Sequence, residues 1–219
     1  PDTVAPEPST TSEPTVPALS AEAGLADATA RVAAYSNGPT SIGPVEPLTV
    51  PAPAPVIAYL QCPSPSCAEV ATGVRNAARA IGGRAVLVPY QANRASVDAA
   101  LAAVTAAGPT VVLTGSLPRT WLASALPGFA AKGVPVIAWE LPEGPAGDGI
   151  AANLVTGDDL WFRGVLLADQ VVAATGGRAR VLVWRLGDLV GTAGSAQVAD
   201  GGRDELARVC SDCSVEVRT

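Results

Sequence analysis

From residue 56 onward the hydrophobic positions fall into two alternating rhythms. Short apolar runs, Val56 to Gln61, Ala85 to Pro89, Thr110 to Thr114 and Pro135 to Trp139, start roughly every 25 residues, the spacing of repeated βα units. Between them apolar residues recur at three- and four-residue intervals, the period of an amphipathic helix. The first such helix is predicted from Ser66, whose distance to Glu69 is that of a capping box, with Val70, Val74, Ala77 and Ile81 as its buried stripe and Gly82-Gly83 as its stop. A second is predicted over Ser96 to Ala107 and a third from Thr120, kinked at Pro127. Strands that are apolar throughout need cover on both faces, so the pattern predicts a parallel sheet wrapped by helices. Right-handed crossovers make it doubly wound, an α/β fold of Rossmann-like type.

A fifth strand is predicted over Ile150 to Thr156. Gly157-Asp158-Asp159 then opens a longer helix ending at Gly176-Gly177, followed by strand Arg180 to Trp184, a helix through Ala193 to Val209 and a strand Ser214 to Arg218. The expected division is a first α/β lobe over 56–157 and the start of a second over 158–219. Two strands cannot cover three helices, so the second lobe reads as incomplete and the chain as cut off by roughly a lobe's length. Ahead of the lobes, eleven of the 20 prolines fall within residues 1–55. Residues 1–17 read as a disordered Pro/Ser/Thr-rich stalk, and 18–55 as a short helix plus a Pro-rich linker. Ser20 caps that helix, Leu25, Ala28, Val32 and Tyr35 share one face, and Asn37-Gly38 stops it. A chain that begins at Pro1 and has no Met reads as processed or trimmed, and a stalk before a compact domain suits an N-terminal tether.

Composition narrows the function. The chain has 219 residues, 48% hydrophobic, with a net charge of -6. Its 14 cationic residues are scattered singly, with no basic stripe to release counterions from a nucleic acid. There is no His, which removes Ser-His triads and most catalytic zinc sites. Neither Gly-x-Gly-x-x-Gly nor a Gly-x-x-x-x-Gly-Lys phosphate loop occurs, and no Gly-x-Ser-x-Gly elbow. No catalytic residue, cofactor or metal site is therefore assigned. Two tight pairs, Cys62/Cys67 and Cys210/Cys213, suit disulfides of an oxidising compartment, although three connectivities are possible in principle. Free thiols and a four-thiolate zinc site are the competing readings, and the four-residue gap holding Pro63 and Pro65 suits the zinc site less well.

Ligands of open parallel sheets bind beyond the carboxyl ends of the strands, near the switch point in strand order. That rim is Gln61, Ser64, Ser66, Thr114, Ser116, Trp139 and Glu140, faced by Trp184 and Arg185 from the second lobe. The hydroxyls and the amide both donate and accept, and the helix start beside Ser66 favours a hydroxyl or an anion. Trp139 is either a flat face for a sugar or aromatic ring or ordinary core packing at a strand end. Glu140 binds hydroxyls or a cation, or is a solvated carboxylate, and Arg185 is a ligand clamp or a surface arginine. Trp121 is a second stacking candidate, and Trp161 with Phe162 reads as inter-lobe packing. A Cys62–Cys67 bond would staple the rim loop.

The layout resembles type I periplasmic (solute) binding proteins of the sugar-binding branch, which serve ABC importers. The matching stretches are Thr72-Gly73-Val74, Gly133-Val134-Pro135-Val136-Ile137, Asp158-Asp159 before a helix containing Gly164, and Asp200-Gly201. The N-terminal helix with two Cys pairs is similar to actinobacterial lipoprotein members. The resemblance implies a two-lobed clamshell, a small polar ligand in its cleft, permease subunits as partners, a monomer, and a place outside the cytoplasm with a lipid anchor ahead of residue 1. It also adds Asp159, at the first crossing between lobes, to the ligand-binding candidates. The departures are specific. Where sugar binders often carry Asn-Pro-Phe-Phe after strand one, this chain has Ser64-Pro65-Ser66-Cys67, so both stacking rings are missing. Gly115 stands for a frequent Asn, Glu140-Leu141 for a frequent Asp-Arg pair, and Val198 for a sugar-binding Arg. The expected function is an extracytoplasmic solute-binding protein for an importer. The alternative is a ligand sensor or envelope scaffold on the same fold. The effector half of a repressor fits less well, since residues 1–55 hold no basic helix-turn-helix.

Overall fold

The computed structural model describes residues 17–38, 54–141, 143, 146–185 and 194–218. The expected stalk therefore lies outside the described residues but for Pro17, as does most of the linker after the first helix.

Five strands, β1 (Val56–Gln61), β2 (Arg84–Pro89), β3 (Val111–Gly115), β4 (Val136–Trp139) and β5 (Ile150–Asn153), form one sheet in the order β2-β1-β3-β4-β5. Every named pairing is parallel. β1 is flanked by β2 on one side and β3 on the other, so strand order reverses there, and its four middle residues are all buried. That double-sided burial is why the strand is apolar without alternation. β2 lies at an edge and ends in Pro89, which has no N–H to leave unpaired. Helices α2 (Pro65–Ala80), α3 (Arg94–Ala106), α4 (Arg119–Leu122) and α5 (Leu126–Ala131) occupy the crossovers. Tyr59, Leu60, Val97, Val104, Val112, Leu122 and Val136 belong to one continuous core.

Three local expectations are corrected. The capping box at Ser66 and Glu69 does not form: α2 starts one residue earlier at Pro65, a position where proline's missing N–H costs nothing. Its buried stripe is accordingly Cys67, Ala71 and Ala78 with Val74 half-buried, while Val70 and Ile81 are exposed. The helix expected to kink at Pro127 is two short helices, with Pro127 in the first turn of the second. The fifth strand stops at Asn153, because Thr156 already serves as the N-cap of α6 (Gly157–Thr175).

The rest of the described chain is built differently. β6 (Arg180–Trp184) and β7 (Ser214–Arg218) pair in parallel, with α7 (Ser195–Val209) between them in sequence. Helix α1 (Ala21–Tyr35) forms as expected with Ser20 accepting from the Ala23 N–H, but it docks on α6 and α7. A Cβ on Gly164 would stand 2.0 Å from the Val198 carbonyl of α7, and one on Gly24 would stand 2.0 Å from the Val209 carbonyl, so the three helices touch backbone to backbone. Their shared apolar core is small: Ala28, Ala168, Val172, Leu206, Val209 and Cys210, with Cys213 half-buried against it. The chain thus passes between the two halves twice, once from α1 to β1 and once from β5 to α6. Phe162 meets Tyr35 edge-on at 5.3 Å and the Trp161 indole donates to Asp204 at 3.5 Å, so these rings pack within the second half and not between lobes.

Candidate functional site at the carboxyl rim

The parallel sheet brings the ends of β1, β3 and β4 side by side, and with them most of the expected rim residues. Gln61 ends β1, and its carbonyl accepts from the Tyr90 N–H at 3.1 Å. Cys62 and Cys67 are bonded with an S–S length of 2.07 Å, so the sulfurs join in two local pairs and not around a metal. The Tyr59 hydroxyl, buried beneath the loop, donates to the Cys67 carbonyl at 3.4 Å. Burial pushes the Tyr59 phenol up to about 12, so it remains a donor at any physiological pH. Ser64 occupies the N-cap position of α2 without a side-chain cap bond, and its hydroxyl pairs with that of Ser66 at 2.8 Å.

The second cysteine pair is bonded as expected but does not belong to this site. Cys210 and Cys213 join at 2.02 Å in the turn between α7 and β7, where the Cys213 N–H donates to the Cys210 carbonyl at 3.2 Å. Cys210 is the C-cap residue of α7, and both sulfurs pack on the small core shared by α1, α6 and α7. Cys213 and its partner thus fasten the end of a helix in the second half, whereas only Cys62 and Cys67 shape the rim.

At the next two strand ends the backbone itself is unusual. Ser116, just past β3, has φ 53°, and Glu140, just past β4, has φ 55°. Left-handed backbone at a non-glycine residue costs on the order of 1 kcal/mol or more and persists only where surroundings enforce it. The enforcing contacts are visible. The Ser116 N–H donates to the Trp139 carbonyl at 3.1 Å, and its hydroxyl donates to Glu140 Oε2 at 2.7 Å. Arg163, on α6, donates to Glu140 Oε1 at 2.7 Å. The result is a held array, hydroxyl to carboxylate to guanidinium, in which each carboxylate oxygen has a lone pair left and Arg163 is half exposed. Thr114, one position before Gly115, is buried with a hydroxyl that has no partner among the described residues.

Trp139 is half-buried and tilted against Tyr59 at 5.4 Å between ring centres. A Cβ at residue 115 would lie 2.1 Å from its indole, so glycine there is what lets the ring lie across the end of β3. The ring is thus packed against the core with one part left open, which combines the two readings of its sequence position.

Two candidates are engaged elsewhere. The Asp159 carboxylate accepts from the Thr156 N–H at 2.7 Å and from its hydroxyl, completing the capping box of α6. Those bonds hold the carboxyl below its usual range. Arg185 pairs with Asp200 of α7 at 3.5 Å. Neither has a bond to the rim residues. The participant that sequence reading missed is Arg163. Its only signal was indirect, a cation one turn after Asp159 on the helix that leaves the crossing. Away from the rim, an apolar groove of about 440 Å³ runs along β6 between α6 and α7, with the exposed Leu167, Leu182 and Trp184 on its walls. Among the described residues no cluster of acidic or sulfur side chains could hold a metal ion, and no helix is long and apolar enough to cross a membrane.

No family model matches the chain, and no curated protein does either. Solved structures do. An ABC transporter solute-binding protein from Agrobacterium vitis, bound with α-D-tagatopyranose, is 21% identical over 74% of this chain and 57% of its own, with a TM-score of 0.60. A solute-binding protein from Mycobacterium smegmatis with bound glycerol is 16% identical over 75% of this chain and 56% of its own, TM-score 0.60. The fructose-binding periplasmic domain of a hybrid two-component system is 13% identical over 74% and 52%, TM-score 0.57. The chain has the periplasmic-binding-protein fold, and it spans little more than half the length of these structures. All three are named as binding proteins or domains, not as enzymes.

Proposed function

We propose that this chain belongs to an extracytoplasmic solute-binding protein that captures a small polyhydroxylated ligand, a sugar or polyol, for an ABC importer. The observation that carries the reading is the Ser116–Glu140–Arg163 array past the carboxyl ends of β3 and β4, on the same rim as the switch point at β1. A carboxylate with both oxygens oriented and a guanidinium beside it suits adjacent hydroxyls, which donate to the one and accept from the other. The array is fixed before any ligand arrives, so little ordering entropy opposes binding. Gln61, Ser64, Ser66 and Thr114 add neutral donors and acceptors along the same rim, and the exposed part of Trp139 offers an apolar face to a pyranose ring. The Cys62–Cys67 bond stiffens the loop that carries the serines. Ligand classes named in the fold neighbours, tagatose and glycerol, are of this chemistry. The two disulfides support a place outside the cytoplasm, and a lipid anchor would hold the protein near its permease.

The test is calorimetric titration of the chain with pentoses, hexoses, glycerol and aromatic acids, alongside Glu140→Gln. The reading expects a polyol to bind, weakly for a chain that spans little more than half the length of the matched structures, and Glu140→Gln to lose at least tenfold in affinity. Preference for an aromatic acid, or affinity untouched by the substitution, would contradict it. Sensing in place of transport is favoured by the two-component neighbour and by the missing stacking rings. Deleting the gene separates the two: transport expects labelled-sugar uptake to fall, whereas sensing expects uptake to persist and a sugar-dependent transcript to be lost.

A further inference from the structure

Among the described residues no apolar core joins the two halves. The core of the first half draws on the five-stranded sheet with its helices and loops, that of the second on α1, α6 and α7, and the two share no residue. The ionic cluster in which Arg31 and Arg208 meet Asp27, Asp169 and Glu205 likewise lies wholly within the second half. Halves without a packed interface rotate against each other unless some other contact holds them.

Such a contact is present in the pair of Glu140 with Arg163, 2.7 Å from nitrogen to oxygen. The Glu140 end belongs to the first half, where the left-handed backbone after β4 and the Ser116 hydroxyl hold it. The Arg163 end belongs to α6. Its neighbour Gly164 lies backbone to backbone with Val198 of α7, so a force on Arg163 passes to the second half as a body. The pivot is close by. The Leu154 N–H still donates to the Ala138 carbonyl of β4 at 2.9 Å, and Thr156 already caps α6, which leaves a crossing of one residue, Val155, between the two anchors. Leu154 itself is exposed, so no apolar cover clamps the crossing. From Gly157 to Arg163 the helix axis advances about 9 Å, which gives the ion pair a lever arm that a contact at the pivot would lack.

We propose that Arg163 is a positioning residue: braced on Glu140, it sets the angle between the two halves before any ligand arrives and so fixes how the rim is presented. A half-exposed ion pair adds little to overall stability. No packed interface competes with it over the angle, however, so a small energy decides the orientation. The consequence for binding rests on the polyol reading of the rim. A neutral polyol that donates to the free lone pairs of Glu140 leaves the brace intact and finds the halves already oriented, so little of its binding energy goes into moving them.

Residual dipolar couplings of the full chain, measured without sugar, test the brace alone. In the native chain the two halves should align as one body. In Arg163→Gln the couplings of α6 and α7 should fall about twofold relative to those of β1 to β5, as independent motion averages them. Unchanged couplings in the variant, or halves that already average independently in the native chain, overturn the proposal. If that variant does not fold, the native chain in high salt decides: screening of the half-exposed pair should produce the same fall, and unmoved couplings overturn the brace. Adding glycerol or a hexose then separates the two readings. Binding that leaves the native orientation unchanged supports the brace, and binding that reorients the halves overturns it. A complete absence of binding contradicts the polyol reading alone, since the sugar-free couplings have already decided the brace.

Discussion

The two halves of this molecule are stabilised by different means. The five-stranded half buries a continuous apolar core between helices, and its Ser116–Glu140 pair lies at the carboxyl rim. The second half has two strands and three helices whose apolar core is a few small side chains, supplemented by glycine-mediated crossings, the Cys210–Cys213 bond and a buried ionic cluster. Apolar burial is non-directional and tolerates variation in detail, whereas backbone contact and buried ion pairs depend on specific partners. The first half should therefore give way gradually to substitution and the second abruptly.

The largest contrast is expected from paired substitutions. Arg208→Ala leaves Glu205 and Asp27 short of a partner and should cost about 3–5 kcal/mol, lost from the second half alone. Gly164→Val drives a side chain into the α7 backbone and should cost about 3 kcal/mol, again with α1 and α7 losing exchange protection first. In the first half Leu60→Ala should cost about 2–5 kcal/mol but spare the helix cluster. Urea denaturation followed by hydrogen exchange separates these outcomes. A single transition in which all three variants melt both halves together would erase the distinction.

The rim predicts smaller effects on stability and larger ones on binding. Reducing Cys62–Cys67 releases a loop so short that the entropic cost is about 2 kcal/mol, yet it should weaken polyol affinity by freeing Ser64 and Ser66. Thr156→Ala, which removes the α6 cap, should cost about 1 kcal/mol and leave binding at the rim within twofold. A thermal melt with and without ligand reads both.

The same contrast explains what could be read from the chain alone. β1 to β4 were legible because their apolar runs are local signals, and the switch-point rim follows once a parallel sheet is inferred. That the cysteines are bonded was legible for a similar reason, since they fall in two close pairs, whereas the connectivity, open among three pairings, comes from the fold: Cys62 with Cys67 and Cys210 with Cys213. The phase of α2 was misread because Ser66 and Glu69 mimic a cap, while the disulfide turns Cys67 inward and sets the stripe one position away. The docking of α1 was not legible. It rests on Arg31 meeting Asp169 and Glu205, partners 138 and 174 residues distant that no local pattern joins. Arg163 escaped notice for the same reason: its partner Glu140 lies 23 residues away across the crossing. Asp159 was read as a ligand residue from resemblance, though its spacing to Thr156 is that of the cap it forms.

The central claim is that the strained array at the ends of β3 and β4 is a polyol-binding surface. Amide NMR of the labelled chain titrated with hexoses and glycerol tests it most directly, since shifts register even millimolar binding. Saturable shifts confined to Gln61–Ser66, Thr114–Ser116, Trp139, Glu140 and Arg163 are predicted, absent in Glu140→Gln. Shifts centred instead on the groove beside Leu182 and Trp184, or none at any sugar concentration, would contradict it.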